Sequence, residues 1–250
     1  MFLAPSRCYN ARMKLYFIRH GEPDYQNDSL TELGRMQAEK LAAHIHELKI
    51  DEIYSSPLGR AVQTAACSAE KLGLEVKVLP WLRELRWGDY SGDAYSTASP
   101  WSINDRFIAE RHSYPLGDAW KTDEAVKNDR IVEDVAEICA SFDAWLKERG
   151  FERRGQLYKV AAPLAEKQRN VAFFCHGGVA TALVAHLLNI PFWQMIAHAG
   201  VELTSITCIE IAEAGSVASP ADAENAANAG KAHFTAARLV FYGDIHHLKD

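Results

Sequence analysis

The 250-residue chain lacks several features that would assign it to a class at once. It has no paired cysteines: Cys8, Cys67, Cys139, Cys175 and Cys208 are scattered, with no C-x-x-C spacing. An odd, unpatterned set in a chain of this size reads as reduced, mostly buried thiols, so a cytoplasmic setting is expected. Basic charge is not in excess. Lysine and arginine number 27 against 33 acidic residues, a formal net charge of −6. That balance argues against a nucleic-acid partner, because phosphate backbones select basic stripes. No apolar run approaches the roughly 18 residues of a membrane span. The opening "MFLAPSRCYNARMKLYF" holds no apolar core long enough for a secretory signal. Neither a membrane nor a nucleic acid is therefore expected as a partner, and no internal repeat is visible.

What the chain does have is alternation. Short apolar runs rich in β-branched and aromatic residues read as strands at Lys14–Ile18, Glu52–Ser55, Val76–Leu79, Val171–Cys175, Ser205–Ile211 and Arg238–Tyr242. Between the first two, Leu33, Met36, Leu41, Ile45 and Leu48 form an apolar helical stripe capped by Thr31. A second helix starts at Ser56 and Pro57 and ends at Gly73, and "HGGVATALVAHLLNI" is a third. This rhythm predicts an α/β fold: three α/β/α layers around a mostly parallel central sheet of about six strands.

Residues 13–250 are expected to form one such domain, with residues 1–12 as an N-terminal extension. Two segments leave the rhythm. Residues 93–165 hold Trp101, Phe107, Trp120 and an amphipathic helix striped by Ile131, Val135, Ile138, Phe142 and Trp145. They predict a largely helical insertion over the active-site edge, with "QLYKVA" as a short extra strand. Residues 212–232, rich in Ala, Gly, Ser and Asn, predict a mobile loop.

Ligands of open α/β sheets bind just beyond the carboxyl ends of the strands. The first strand here ends in Arg19-His20-Gly21-Glu22, and the second runs into a helix carrying Arg60 on its first turn. The third leads to "LRELRWGDYSG" with Glu84, and the fourth ends in "CHGG" with His176. Four segments thus deliver two arginines, two histidines and a carboxylate to one edge. Guanidinium forks match the paired oxygens of a phosphate monoester. A neutral His20 can attack phosphorus. Glu84 can protonate the leaving oxygen if burial or a neighbouring phosphate raises its pKa. His176 and the N–H groups of the helix beginning at Gly177 would complete an anion site.

These motifs in this order, "RHGE", "LTELGRMQA", "SSPLGRAVQTA", "FCHGG" and a terminal "HHL", resemble the histidine phosphatase superfamily, also called phosphoglycerate-mutase-like. The resemblance implies His20 as the phosphorylated nucleophile and Glu84 as proton donor and acceptor. It implies Arg19, Arg60, His176 and Gly177 as the phosphate pocket, with no metal and no cofactor. The substrate or product ligand would be a small phosphorylated compound or inorganic phosphate. Only "PDYQNDS" separates Glu22 from Leu30, and the "GDYSGDAYST" that follows Trp87 offers no lysine to hold a carboxylate; set beside the mutase branch of the family the chain resembles, this favours a phosphatase. A mutase and a phospho-ligand binding protein of the same fold are the alternatives. Asp24, Tyr25, Trp87, Trp101 and Arg106 are candidates to line the substrate site, and Trp120 is a further one.

Other chemistry fits less well. A thiol nucleophile at Cys175 would need an arginine six positions on, where Thr181 stands. His44 and His46 point to different faces of a helix, and His246-His247 lacks an obvious carboxylate or cysteine cluster. Phe192, Trp193 and Met195 are either core or a surface through which two copies would form a homodimer.

Overall fold

The computed structural model describes residues 12–88, 100–101, 107–124, 126–160, 169–212 and 233–249. The strands are β1 (Arg12–Arg19), β2 (Pro23–Asp24), β3 (Ser29–Leu30), β4 (Glu52–Ser55), β5 (Val76–Val78), β6 (Phe151–Arg154), β7 (Leu157–Val160), β8 (Arg169–Cys175), β9 (Ile206–Ala212), β10 (His233–Thr235) and β11 (Ala237–Asp244). The helices are α1 (Glu32–His44), α2 (Gly59–Leu72), α3 (Ile131–Glu148), α4 (Gly177–Leu188) and α5 (Phe192–His198).

Six strands form the central sheet in the order β11-β9-β1-β8-β4-β5. Pairing is parallel from β1 through β8 and β4 to β5, and antiparallel at β9 and β11. Successive side chains of a strand face opposite sides, and β1 shows the consequence. Met13, Leu15 and Phe17 enter one core with α3, α4 and α5, whereas Tyr16 and Ile18 enter the other with α1 and α2. The layered α/β architecture expected from the alternation is therefore present. β6, β7 and β10 form a separate three-stranded sheet; β7 coincides with the extra strand expected at "QLYKVA".

Several details differ from expectation. Thr31 caps α1 by accepting from the Gly34 N–H at 3.0 Å, but Leu33 and Met36 are 49% and 51% exposed. Leu41 and Ile45 of the expected stripe are buried, and Gly34, Ala38 and Ala42 complete the inward side of α1 in place of Leu33 and Met36. The stripe of α3 is buried as expected, with Phe142 and Trp145 packed against Phe173 of β8 at 6.0 and 5.0 Å between ring centroids. This helix is thus a layer of the main core rather than a cover confined to the site edge. Phe192, Trp193 and Met195 are also buried, so the core reading holds for them. Arg12 already belongs to β1, paired with Ala212. Residues 1–11, 213–232 and Arg106 lie outside the described residues. Among the described residues, no helix is long and apolar enough to cross a membrane.

The turn after β1 is held against the start of α1. Thr31 N–H donates to the Glu22 carbonyl at 3.0 Å, and Glu22 N–H donates to the Gln37 side chain at 2.7 Å. Gly21 and Gly34 permit this closeness: a Cβ on Gly21 would meet the Gly34 carbonyl, and one on Gly34 would collide with the Glu22 carbonyl. Space, not a left-handed backbone, explains the glycine after His20. Gly34→Ala should therefore cost about 1–3 kcal/mol of stability, as overpacking against backbone does. Chemical denaturation measures it, and an unchanged midpoint would show that the turn yields freely.

Candidate active site

The register of β1 against β8 creates the centre of the site. Arg19 lies opposite Cys175, so the next residues on the two parallel strands, His20 and His176, leave the sheet side by side. Their rings meet edge to face at 5.0 Å. His20 N–H donates to the Cys175 carbonyl at 3.0 Å, and the Thr204 N–H donates to the His20 carbonyl at 3.3 Å, so the His20 backbone is gripped from both sides.

His20 is 2% exposed. Its Nδ1 lies 2.6 Å from the Gly21 carbonyl, which can only accept, so Nδ1 carries the proton and Nε2 keeps a lone pair. Burial lowers its pKa to about 4; the Gly21 bond opposes this, and the Arg60 and Arg19 charges reinforce it. His20 is consequently a neutral imidazole across the physiological range. His176 is fully buried, and burial followed by its cationic neighbours pushes its pKa well below the ordinary value. Ser56 Oγ accepts from the Leu58 N–H at 3.2 Å and lies 2.7 Å from His176 Nε2. The serine proton is thus available to Nε2, which leaves the hydrogen of His176 on Nδ1.

Arg60 projects from the first turn of α2. Its Nε donates to His20 Nε2 at 3.4 Å, its Nη1 to Asp28 at 2.7 Å, and its guanidinium lies 5.3 Å from the Tyr25 ring centre. Asp28 also accepts from the Gly59 N–H at 2.7 Å, so one carboxylate fixes both the helix start and the guanidinium. Arg19 Nη1 donates to the Val201 carbonyl at 2.6 Å. Two buried polar atoms beside these groups, Arg19 Nε and His176 Nδ1, have no hydrogen-bond partner among the described residues. Buried donors normally have partners; these two are the donors that a bound oxyanion would satisfy.

Glu84 reaches the same space from the segment after β5. Its Oε1 accepts from the Leu85 and Val179 N–H groups at 2.9 and 3.1 Å, and its Oε2 from Gly178 at 3.3 Å. Gly178 matters here because a Cβ would stand 2.7 Å from Oε1. The Gly178 and Val179 N–H groups at the start of α4 are therefore engaged by Glu84 and do not stand free for an anion as expected, whereas Gly177 lines the cavity. Burial raises the Glu84 pKa above its ordinary value, against the three N–H bonds and the Arg19 charge. Arg83 and Arg86, on either side of Glu84, are clamped by Asp134 in the first turn of α3. Arg83 grips Asp134 through two bonds of 2.8 and 2.7 Å, and Arg86 adds its N–H at 2.8 Å and its Nε at 2.7 Å. Burial opposes the charge on Asp134, but those bonds hold its pKa below the usual range.

These groups open into a cavity of about 940 Å³ whose lining includes Arg19, His20, Tyr25, Arg60, Glu84, Trp87, Trp101 and Gly177. His176 is not among the lining residues; it is fully buried against the His20 ring. Asp24 does not line the cavity; its carboxylate accepts from Gln26 and Asn27 and shapes the β2–β3 turn. Trp120 is buried against Phe192 and Trp193, away from the site. Sequence reasoning missed Asp28, Ser56, Asp134 and the Thr204–His247 pair, in which buried His247 Nε2 lies 3.0 Å from Thr204 Oγ1. Only the "HHL" ending had pointed to one of them. Among the described residues, no cluster of three or more His, Cys, Asp or Glu side chains could hold a metal ion.

Comparison with known proteins gives the family of the chain. The family model of the histidine phosphatase superfamily (branch 1) matches residues 15–220. A glucosyl-3-phosphoglycerate phosphatase of Mycobacterium tuberculosis is 30% identical over 189 residues, covering 71% of this chain and 76% of that protein. The solved structure of a mycobacterial protein of that name in complex with inorganic phosphate superposes with a TM-score of 0.52 at 26% identity, covering 92% of this chain and 97% of the other. A shorter match, 39% identical over 85 residues, is to an Escherichia fergusonii protein named "Probable phosphoglycerate mutase"; it covers 30% of this chain and 40% of that one.

The neutral state of His20 has a thermodynamic consequence. Folded His20 takes up its proton near pH 4, whereas an unfolded histidine does so near pH ~6.5. Between these values the unfolded chain holds more protons, so stability falls as pH drops through that window. His20→Gln should remove its share, on the order of 2 kcal/mol between pH ~7 and ~5. Urea denaturation at the two pH values reads this directly, and equal losses in wild type and variant would contradict the neutral, buried state of His20.

Proposed function

On the premise that the chain belongs to the histidine phosphatase superfamily, branch 1, we propose that it is a phosphomonoesterase acting on small phosphorylated metabolites through a phosphohistidine at His20. One observation carries the reading: a neutral histidine, its Nε2 met by Arg60 Nε at 3.4 Å, stands beside Arg19 and Arg60, with Arg19 Nε and His176 Nδ1 lacking partners among the described residues.

In the first step His20 Nε2 attacks phosphorus, the ester P–O bond breaks, and the leaving oxygen takes a proton from Glu84. Arg19, Arg60 and His176 Nδ1–H hold the non-bridging oxygens, where negative charge is concentrated. Oε2 is the Glu84 oxygen suited to carry the proton, since it accepts a single N–H at 3.3 Å while Oε1 accepts two shorter ones. In the second step Glu84, now a carboxylate, takes a proton from water, which attacks the phosphohistidine. The P–N bond breaks and returns His20 to its neutral form with release of phosphate. The positive charge needed at each step comes from arginine, so the scheme requires neither a metal nor another cofactor. Engagement of Arg83 and Arg86 by Asp134 and Glu137 favours hydrolysis over a mutase reaction, which would need cations to seat a carboxylate-bearing substrate.

Turnover of an aryl phosphate should continue undiminished in EDTA and fall by at least a thousandfold in His20→Ala; no turnover by wild type, or an active variant, would refute the assignment. Quenching wild type during turnover in alkaline detergent should trap a protein-bound phosphoryl group that survives base and is released by acid. Glu84→Gln should slow alkyl phosphates about 10²–10⁴-fold, the usual worth of general acid–base catalysis, and aryl phosphates much less. Asp134→Asn, which loosens the mounts on both sides of Glu84, should follow the same leaving-group dependence more weakly. An equal loss on both substrate types would assign Asp134 to structure alone.

A further inference from the structure

The phosphate end of the cavity accounts for only part of its lining, and about 940 Å³ is at the upper end of the range occupied by drug-sized ligands. On the Glu84 side, where the alcohol part of a phosphomonoester must lie, the wall changes character. Leu85, Trp87 and Trp101 line it, with Leu58 and Tyr25 on the Arg60 side. Trp87 and Trp101 meet edge to face, with 5.9 Å between centroids and an interplanar angle of 83°. This arrangement makes an L-shaped aromatic corner. Trp101 remains 42% exposed, a large apolar surface at the mouth of a cavity.

The charges beside this corner are balanced within the protein. Arg83 is held by Asp134 in a two-point bridge, and Arg86 divides its guanidinium between Asp134 at 2.7 Å and Glu137 at 3.1 Å. Two cations meet two carboxylates. A substrate carboxylate arriving here would have to compete with Asp134 and Glu137 for each arginine. A neutral ring meets no such opposition and gains contact with two indole faces, which favour flat apolar or C–H-rich surfaces.

We infer that the leaving-group end of this site takes a phosphomonoester whose alcohol carries an uncharged ring, a pyranose or an arene, seated in the Trp87–Trp101 corner. The inference rests on the phosphatase reading above and specifies its substrate class. Acyclic alcohols, and acyclic alcohols bearing a carboxylate most of all, are the poor substrates.

Four phosphates of primary alcohols test this without changing leaving-group chemistry: a hexose phosphate esterified at its primary hydroxyl, benzyl phosphate, glycerol phosphate and phosphoserine. Of the two ring compounds, at least one should exceed glycerol phosphate tenfold in kcat/KM, and phosphoserine should be the slowest; which ring compound leads distinguishes pyranose from arene. Trp101→Ala should collapse the ratio of ring to acyclic substrate toward one, and Trp101→Phe should largely preserve it. Preference for phosphoserine, equal rates for ring and acyclic alcohols, or a ratio indifferent to Trp101→Ala would each overturn the inference. Dissociation constants of the same four compounds for His20→Ala, measured by calorimetry, separate the two levels. The same ranking in binding upholds the ring site even if no compound is turned over, whereas turnover of all four without ranking upholds the phosphatase and removes the ring site.

Discussion

The parallel pairing of β1 with β8 is the constraint on which the rest depends. Arg19 stands opposite Cys175, and the two strands release His20 and His176 at the same level, at the same sheet edge. Because strand side chains alternate with a period of two, a slip of one residue would send Phe17 and Ile18 to the wrong cores as well as separating the two rings. The register is therefore specified by burial along the whole strand. Phe17 stacks on Phe173 at 5.4 Å, and Phe173 in turn meets Trp145 and Phe142 of α3. Aromatic packing deep in one core thus fixes the position of an imidazole at the edge.

That edge concentrates cations, and the site depends on keeping its histidines out of that number. Burial and the two guanidiniums act together to hold His20 and His176 neutral. A protonated His20 would have no lone pair for phosphorus, so the same desolvation that costs stability at low pH preserves the proposed nucleophile. Asp28, which also lines the cavity, balances Arg60 by accepting from its Nη1 while the Arg60 Nε is directed to His20 Nε2. Glu84 is the complementary case: its burial favours the protonated acid, while three N–H groups favour the carboxylate. A group proposed to serve as acid and then as base needs both influences.

Four of the residues proposed to act on phosphorus stood out in the sequence, because Arg19 ends a strand, His20 and His176 directly follow strands and Arg60 lies in the first turn of a helix. Their supports did not. Asp28 stands in a polar turn and looks like any loop aspartate until the fold brings Gly59 and Arg60 to it. Asp134 resembles an ordinary acid in a helix's first turn, a position favoured by the helix dipole, yet it is 1% exposed and binds two arginines about fifty residues earlier in the chain. Long-range partnership of this kind leaves no local pattern. The exposed Leu33 and Met36 show the converse, a helical period that is present but belongs partly to the surface. The same limit explains why α4 looked like an anion site: its open N–H groups were visible in "HGG", but their engagement by Glu84, 94 residues away from Gly178, was not.

The two ends of the cavity are built from different material, and this bears on how one chemistry can serve many substrates. The phosphate end draws on strand termini and first helical turns, each tied to a core that cannot move without cost. Its donors have one oxyanion geometry to satisfy. The leaving-group end draws on the segment after β5, on Trp101, and on Ala199–Val201 after α5, elements outside the central sheet. Glu84 lies where the two meet, and it alone must suit both a fixed phosphate and a variable alcohol. Its carboxylate is therefore anchored twice: to the start of α4 by direct N–H bonds, and to α3 through Arg83, Arg86 and Asp134. A proton donor fixed in this way can keep its distance from the bridging oxygen while the wall beyond it changes, so specificity can be altered at the tryptophan corner without disturbing the groups proposed to act on phosphorus.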